Sequence, residues 1–147
     1  MSVSIMGRCD SVDLQQTLPI PLYLERVSAG FPSPAQDFIE KTLDLNELCI
    51  QHPAATFFVR VEGESMRDAG IYPGDVLVVD RSLSPTHGDI VIASLEGEMT
   101  VKELCTRPHL ALRAHNPAFP MIAIVNPDEF EVFGVVTNVV RPLSRNR

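Results

Sequence analysis

From Ala55 onward, apolar and polar residues alternate with a period of two. Phe57, Val59 and Val61 interleave with Phe58, Arg60 and Glu62, the pattern of a half-buried strand that stops at Gly63. Val76-Leu-Val-Val79 follows a Pro73-Gly74 turn, and Ile90-Val-Ile-Ala93 follows His87-Gly88-Asp89. Met99 to Leu104 begins just past Glu96-Gly97-Glu98, which has the composition of a hairpin turn. Leu110 to Ala114, Met121 to Val125 and Phe130 to Val140 complete the set. Short strands at this spacing predict an all-β protein, a barrel or sandwich carrying only short helical turns.

The N-terminal part obeys no such period. Residues 1 to about 20 are polar and irregular, closed by the two prolines of Thr17-Leu-Pro-Ile-Pro21, and predict a mobile arm. Pro21 to Val27 reads as extended, and Ser28-Ala-Gly-Phe-Pro32 as a small-residue loop. Ser33, Pro34 and Gln36 then make a capping box that predicts a short helix, one that would carry Lys41. Asp44 and Glu47 repeat the box and predict a second helical turn before Leu48.

Composition narrows the class. The 147 residues contain 12 Lys+Arg against 19 Asp+Glu, a formal net charge of −7, which argues against gripping nucleic acid through a broad basic surface. Of those cations only Lys41 and Lys102 are lysines. No run reaches the eighteen or so apolar residues of a membrane helix, and the N-terminus lacks the pattern of a secretory signal, so a cytoplasmic protein is expected. Cys9, Cys49 and Cys105 are odd in number and widely spaced, and read as reduced thiols. His52, His87, His109 and His115 have no partner at ligand spacing, so they read as surface or turn residues and no metal or other cofactor is expected.

Two positions carry candidate chemistry. Ser65, in Val61-Glu-Gly-Glu-Ser-Met66, follows a strand that ends at a glycine. Such a turn exposes a hydroxyl and frees backbone N–H groups to bind an oxyanion, although loop serines are common and Gly-x-Ser-Met alone does not identify a nucleophile. Lys102 is the second, within Met99-Thr-Val-Lys-Glu-Leu104 and on the strand face of Thr100 and Leu104. It reads either as a solvent-facing lysine that guards a sheet edge or as a lysine aimed into a partly apolar site. Burial lowers a lysine pKa and makes a neutral amine available as a base. Moving that pKa from about 10.4 to about 7 takes roughly 4–5 kcal/mol of differential interaction, attainable only for a desolvated side chain. Burial therefore decides between the two. No histidine is placed to activate Ser65 and there is no Gly-x-Ser-x-Gly elbow, whereas a Ser-Lys dyad needs only the one base.

Several separate motifs, in order, resemble the UmuD family, the SOS-mutagenesis branch of the LexA-like self-cleaving proteins. They are Ala29-Gly-Phe-Pro-Ser-Pro34, Asp44-Leu-Asn46, Gln51-His-Pro53, Gly63-Glu-Ser-Met66, Gly74-Asp75, His87-Gly-Asp-Ile-Val91, Thr100-Val-Lys102 and Phe133-Gly-Val-Val136. The resemblance spans about Pro21 to Arg141. It implies the LexA/UmuD-like catalytic β fold and a serine peptidase that cuts itself between Ala29 and Gly30, with Ser65 as nucleophile and Lys102 as general base. Backbone N–H groups of Glu64 and Ser65 would form the oxyanion hole. Residues 1–29 would be the arm removed, and residues 30–147 the Ser-Lys peptidase domain. Many UmuD proteins have Cys-Gly at the cut, and this chain has the Ala-Gly also seen in LexA.

The resemblance further implies a homodimer, a RecA filament on single-stranded DNA as co-protease, and a UmuC-type polymerase as partner of the cleaved form. Only 28 residues precede Ala29, too few for a helix-turn-helix domain, so direct sequence-specific DNA binding is not expected. A different class stays open: a non-catalytic dimeric module that regulates a polymerase while the dyad is idle. A signal peptidase also uses Ser-Lys chemistry, but with a membrane anchor and usually a proline two residues beyond Ser-Met, where this chain has Ser65-Met-Arg-Asp68. Val135, Val136, Val139 and Val140 suit either an interface strand or core packing. Arg141, Arg145 and Arg147 read as a solvated tail or as a contact to DNA or a partner.

Overall fold

The computed structural model describes residues 3–8, 20–23 and 39–144. The Ala29–Gly30 bond, the capping box at Ser33 to Gln36, and Arg145 and Arg147 lie outside the described residues. The chain divides into two compact units, residues 10–51 and residues 1–9 together with 52–147.

In the smaller unit, β2 (Ile20–Tyr23) pairs antiparallel with β3 (Ile39–Leu43), with Ile20 opposite Leu43 and Leu22 opposite Lys41. The helix expected to carry Lys41 is therefore a strand at that residue. Ile39 and Thr42 are β-branched, and pairing with a neighbouring strand outweighs a distant capping signal. The second capping signal is realised. Asp44 caps α1 (Leu45–Cys49), its carboxylate accepting the Asn46 N–H at 3.1 Å.

Among the described residues, the larger unit is built of β-strands with three short 3-10 turns, Pro53–Ala55, Arg67–Ala69 and Pro127–Glu129. Its strands are β1 (Val3–Arg8), β4 (Thr56–Val61), β5 (Val76–Asp80), β6 (Ile90–Leu95), β7 (Glu98–Cys105), β8 (Ala111–Arg113), β9 (Ile122–Ala123) and β10 (Phe130–Val140). Among the described residues they form one antiparallel sheet in the order β1-β4-β5-β10-β6-β7-β8-β9. The alternation in the sequence places seven of these eight strands within a few residues of their ends. β1 is the exception, since Val3–Arg8 is a strand paired with β4 rather than an irregular arm. Val3 and Ile5 alternate with Ser4, but over too few positions to stand out from a polar context.

Period two is what builds the core. On β6, Ile92 belongs to a cluster with Val59, Val61, Met66, Leu77, Val79 and Val101, whereas its neighbours Val91 and Ala93 join Leu104, Leu112 and Val135. β6 and β7 are joined through Glu96 and Gly97, both at positive φ (52° and 85°), as a two-residue hairpin turn between right-twisted strands requires. The long β10 spans the middle of the sheet, pairing first with β6 and then with β5. Its valines differ in burial. Val135 is buried and Val136 packs against the core, while Val139 and Val140 are 40% and 48% exposed.

Beyond β10, Arg141 is no loose tail. It holds both oxygens of the buried Asp75 at 2.6 and 2.7 Å, gives a further bond to the Gly70 carbonyl, and stacks over Tyr72. Burial alone would raise the Asp75 pKa, but the Arg141 bonds and the Tyr72 N–H hold the carboxyl below its ordinary value.

Gly134 sits where β10 shifts register against β6. A Cβ there would lie 2.7 Å from a Val79 methyl and 3.2 Å from the Asp80 carbonyl. Gly134→Ala should therefore cost about 1–3 kcal/mol, the usual penalty of overpacking, seen as a lower denaturant midpoint with an unchanged slope.

Candidate active site

β4 ends at Val61, and Gly63 at φ 86° turns the chain sharply into the loop that carries Ser65. Met66, the next residue, is fully buried in the same apolar cluster as Val101. Val101 in turn precedes Lys102 on β7. Two core residues, each adjacent to a polar one, thus bring Ser65 and Lys102 together across 37 positions of sequence. Lys102 Nζ lies 3.1 Å from Ser65 Oγ and 2.7 Å from Thr100 Oγ1.

Both side chains are hidden from water. Ser65 is 0% exposed, so the exposed hydroxyl expected of a turn serine is not what the fold provides. Its neighbour Met66 is committed to the core, and the loop is drawn inward with it. Lys102 is 4% exposed on a strand flanked by β6 and β8, which removes the edge-strand reading. Desolvation lowers its pKa below the ordinary lysine value, and among the described residues no carboxylate forms an ion pair with it. An uncompensated buried ammonium is costly, so the amine tends to neutrality and can accept the Ser65 proton.

A second loop holds the first in place. The His115 N–H donates to the Ser65 carbonyl at 2.8 Å, and the Asn116 side-chain amide donates to the Glu64 carbonyl at 2.9 Å. The His115 carbonyl accepts the Asp68 N–H at 2.8 Å. With both carbonyls held, the N–H groups of Glu64 and Ser65 donate to no backbone carbonyl among the described residues. That is the state an oxyanion hole requires. The His115 ring meets the carboxylate of Glu103, the residue after Lys102, at 3.2 Å, tying the clamp to β7.

Asn116 escaped the sequence reading because its only signal there was an Asn-Pro turn dipeptide. The histidines fit a structural account. His52 pairs with Asp80 at 2.6 Å and His87 accepts the Thr106 N–H, while His109 is exposed. Cys49 and Cys105 are free thiols.

Lys102 opens on a cleft of about 800 Å³. Glu62 and Gly63 border it on one side and Met99 and Thr100 on another, with Phe119, Ile122 and Val3 also in its walls. A buried Ser-Lys pair beside a groove of this kind is what a peptidase without a histidine needs.

Residues 21–137 match the Peptidase S24-like family. The chain belongs to that family. Its S24-like relatives include Protein SamA of Salmonella typhimurium, 54% identical over 80% of this chain and 81% of that protein. Protein ImpA of Escherichia coli is 53% identical over 82% of each, and Protein MucA of Escherichia coli 52% identical over 81% of this chain and 82% of its own. These relatives place the chain in the UmuD branch of the family. A LexA repressor of Verminephrobacter eiseniae is 36% identical over 83% of this chain but 54% of its own length. No helix among the described residues is long and apolar enough to cross a membrane.

The low Lys102 pKa of this S24-like site has a consequence for stability. Between the folded and unfolded pKa values the unfolded chain binds the extra proton, so wild-type stability rises with pH through that window. Lys102→Met removes the term. Its stability relative to wild type should be highest at neutral pH and decline toward pH 10, read from denaturant midpoints across that range.

Proposed function

We propose that this protein is a self-cleaving serine peptidase of the SOS response that cuts its own Ala29–Gly30 bond. The observation that carries the reading is the 3.1 Å approach of Ser65 Oγ to an amine that is buried and has no ion-pair partner among the described residues. Neutral Lys102 takes the Ser65 proton as Oγ attacks the Ala29 carbonyl carbon. The resulting oxyanion is held by the N–H groups of Ser65 and Glu64. Collapse breaks the Ala29–Gly30 C–N bond, Lys102 returns the proton to the departing Gly30 amine, and Ala29 remains as an ester on Ser65. Water then attacks the ester with Lys102 again taking a proton, which frees the Ala29 carboxylate and restores Ser65.

Alanine and glycine suit the cut, because the small side chain needs only a shallow subsite and glycine lets the chain bend close to the nucleophile. Substrate and catalyst share one chain or one dimer, so effective concentration replaces binding affinity. A RecA filament on single-stranded DNA promotes the cut by favouring the state in which the cleavage loop lies over the dyad. The cleaved homodimer then joins a UmuC-type polymerase in translesion synthesis in the cytoplasm. Relatives named SamA, ImpA and MucA support this assignment, and the net charge of −7 agrees with a role reached through protein partners.

Incubation of the purified protein, with and without RecA, single-stranded DNA and an ATP analogue, should yield residues 1–29 and 30–147 by intact mass. Without RecA the rate should climb about tenfold per pH unit and level off below the ordinary lysine pKa. Ser65→Ala and Lys102→Met should not cut. Fragments from either, or a break at another bond, would overturn the mechanism. No fragments from wild type under any of these conditions would favour an idle dyad in a regulatory module.

Asn116→Asp separates positioning from folding. It keeps the oxygen that accepts the Ala118 N–H but loses the donor to Glu64. Cleavage should slow roughly 10- to 100-fold with the pH inflection unmoved. A wild-type rate would show that the Glu64 clamp is dispensable.

A further inference from the structure

We infer that residues 1–29 remain bound after the cut as two strands of a nicked molecule, and that their departure is a separate, slower step. The inference rests on the proposed Ala29–Gly30 cleavage. Both N-terminal strands lie before that bond, and the strand each pairs with lies after it. β1 lies along β4, with Val3 opposite Val61 and Arg8 opposite Phe57. β2 lies along β3, with Ile20 opposite Leu43 and Tyr23 opposite Ile39. Hydrolysis at residue 29 touches no hydrogen bond of either ladder.

Each ladder by itself is short, and a lone two-stranded ribbon is marginal in water. The two strands belong to one fragment, however, joined by residues 9–19. When one lets go, the other still tethers the fragment to the nicked molecule. Val3 adds a side-chain anchor, since it packs against the cluster of Val59, Val61 and Met66 and forms part of the cleft wall beside Lys102. Among the described residues β1 is also the terminal strand of the sheet, and β4 has no other neighbour on that side. While the fragment stays, the outer edge of β4 is paired and the cleft keeps its wall. When it leaves, Thr56–Val61 becomes an open sheet edge, and β1 is the segment that fits it.

The test is to cut the full-length protein and pass it, undenatured and at low micromolar concentration, through gel filtration with native mass spectrometry. The 1–29 and 30–147 pieces should travel together in equimolar amounts. Immediate separation would overturn the proposal. Ser4→Pro combined with Ile5→Pro removes an inward N–H of β1 whichever of the two residues points at β4. That variant, and separately Leu22→Pro in β2, should each speed loss of the fragment at least tenfold, and an unchanged loss rate in both would also overturn it. A third protein carries Ser65→Ala and a recognition sequence for an added protease across residues 29–30. Its retained fragment after nicking tests the strand complex without self-cleavage. If wild type never cuts but this nicked chain holds its piece, the peptidase reading fails and the strand complex stands.

Discussion

A lysine that must be kept dry sets the terms for the rest of this molecule. Lys102 can serve as a base only if its amine is neutral near physiological pH, and a wet lysine is not. The fold meets that demand by placing it on β7, between β6 and β8, with Val101 committed to the core and a serine and a threonine hydroxyl as its hydrogen-bond partners. A carboxylate in the same position would have stabilised the ammonium form. The nearest acid in sequence, Glu103, sits one residue on and so points to the other face of the strand, where it meets His115 and Arg113. The pleat of a β-strand separates this lysine from an adjacent acid by one step of sequence.

The loop that carries Ser65 obeys a related constraint. A serine at 0% exposure has lost its water, so its position is decided by what replaces that water. Met66 anchors the loop from below, and the His115–Asn116 segment holds it from the side through two carbonyls. Arg141 acts further along, bonding Gly70 at the end of the turn that follows Met66 and neutralising Asp75 beneath it. Burial of Asp75 is tolerated because Arg141 is there. The end of β10 and the Ser65 loop are thereby coupled through one guanidinium.

Much of this was legible in the sequence because period-two alternation and turn chemistry are local. Phe57 to Glu62 reads as a strand without any neighbour, and Glu96-Gly97 as a tight turn. Ser65 and Lys102 could be singled out for the same reason, each being odd against its own strand or turn. Burial was not legible. It depends on Met66 and Val101 meeting across the core, and no local pattern reports a contact over that span. Asn116 was invisible for an allied reason, since its amide reaches a carbonyl 52 residues away. The Ser33 capping box misled at Lys41 because a short helix signal carries little energy against a strand pairing.

β1 shows the limit most plainly. Six residues beginning Val-Ser-Ile hold too weak an alternation to predict a strand, and as an isolated peptide they would not form one. They are ordered by the edge of β4, a surface built by residues some fifty positions later. A segment whose structure is borrowed in this way has a stability that belongs to the pairing rather than to itself. Cutting the covalent connection changes the entropy of holding the segment, not the bonds that hold it. In a chain whose proposed cleavage bond lies between two strands and their partners, peptide hydrolysis and loss of the segment are therefore physically distinct events. In the proposed mechanism the first depends on the protonation of Lys102, and the second on the lifetime of two short ladders.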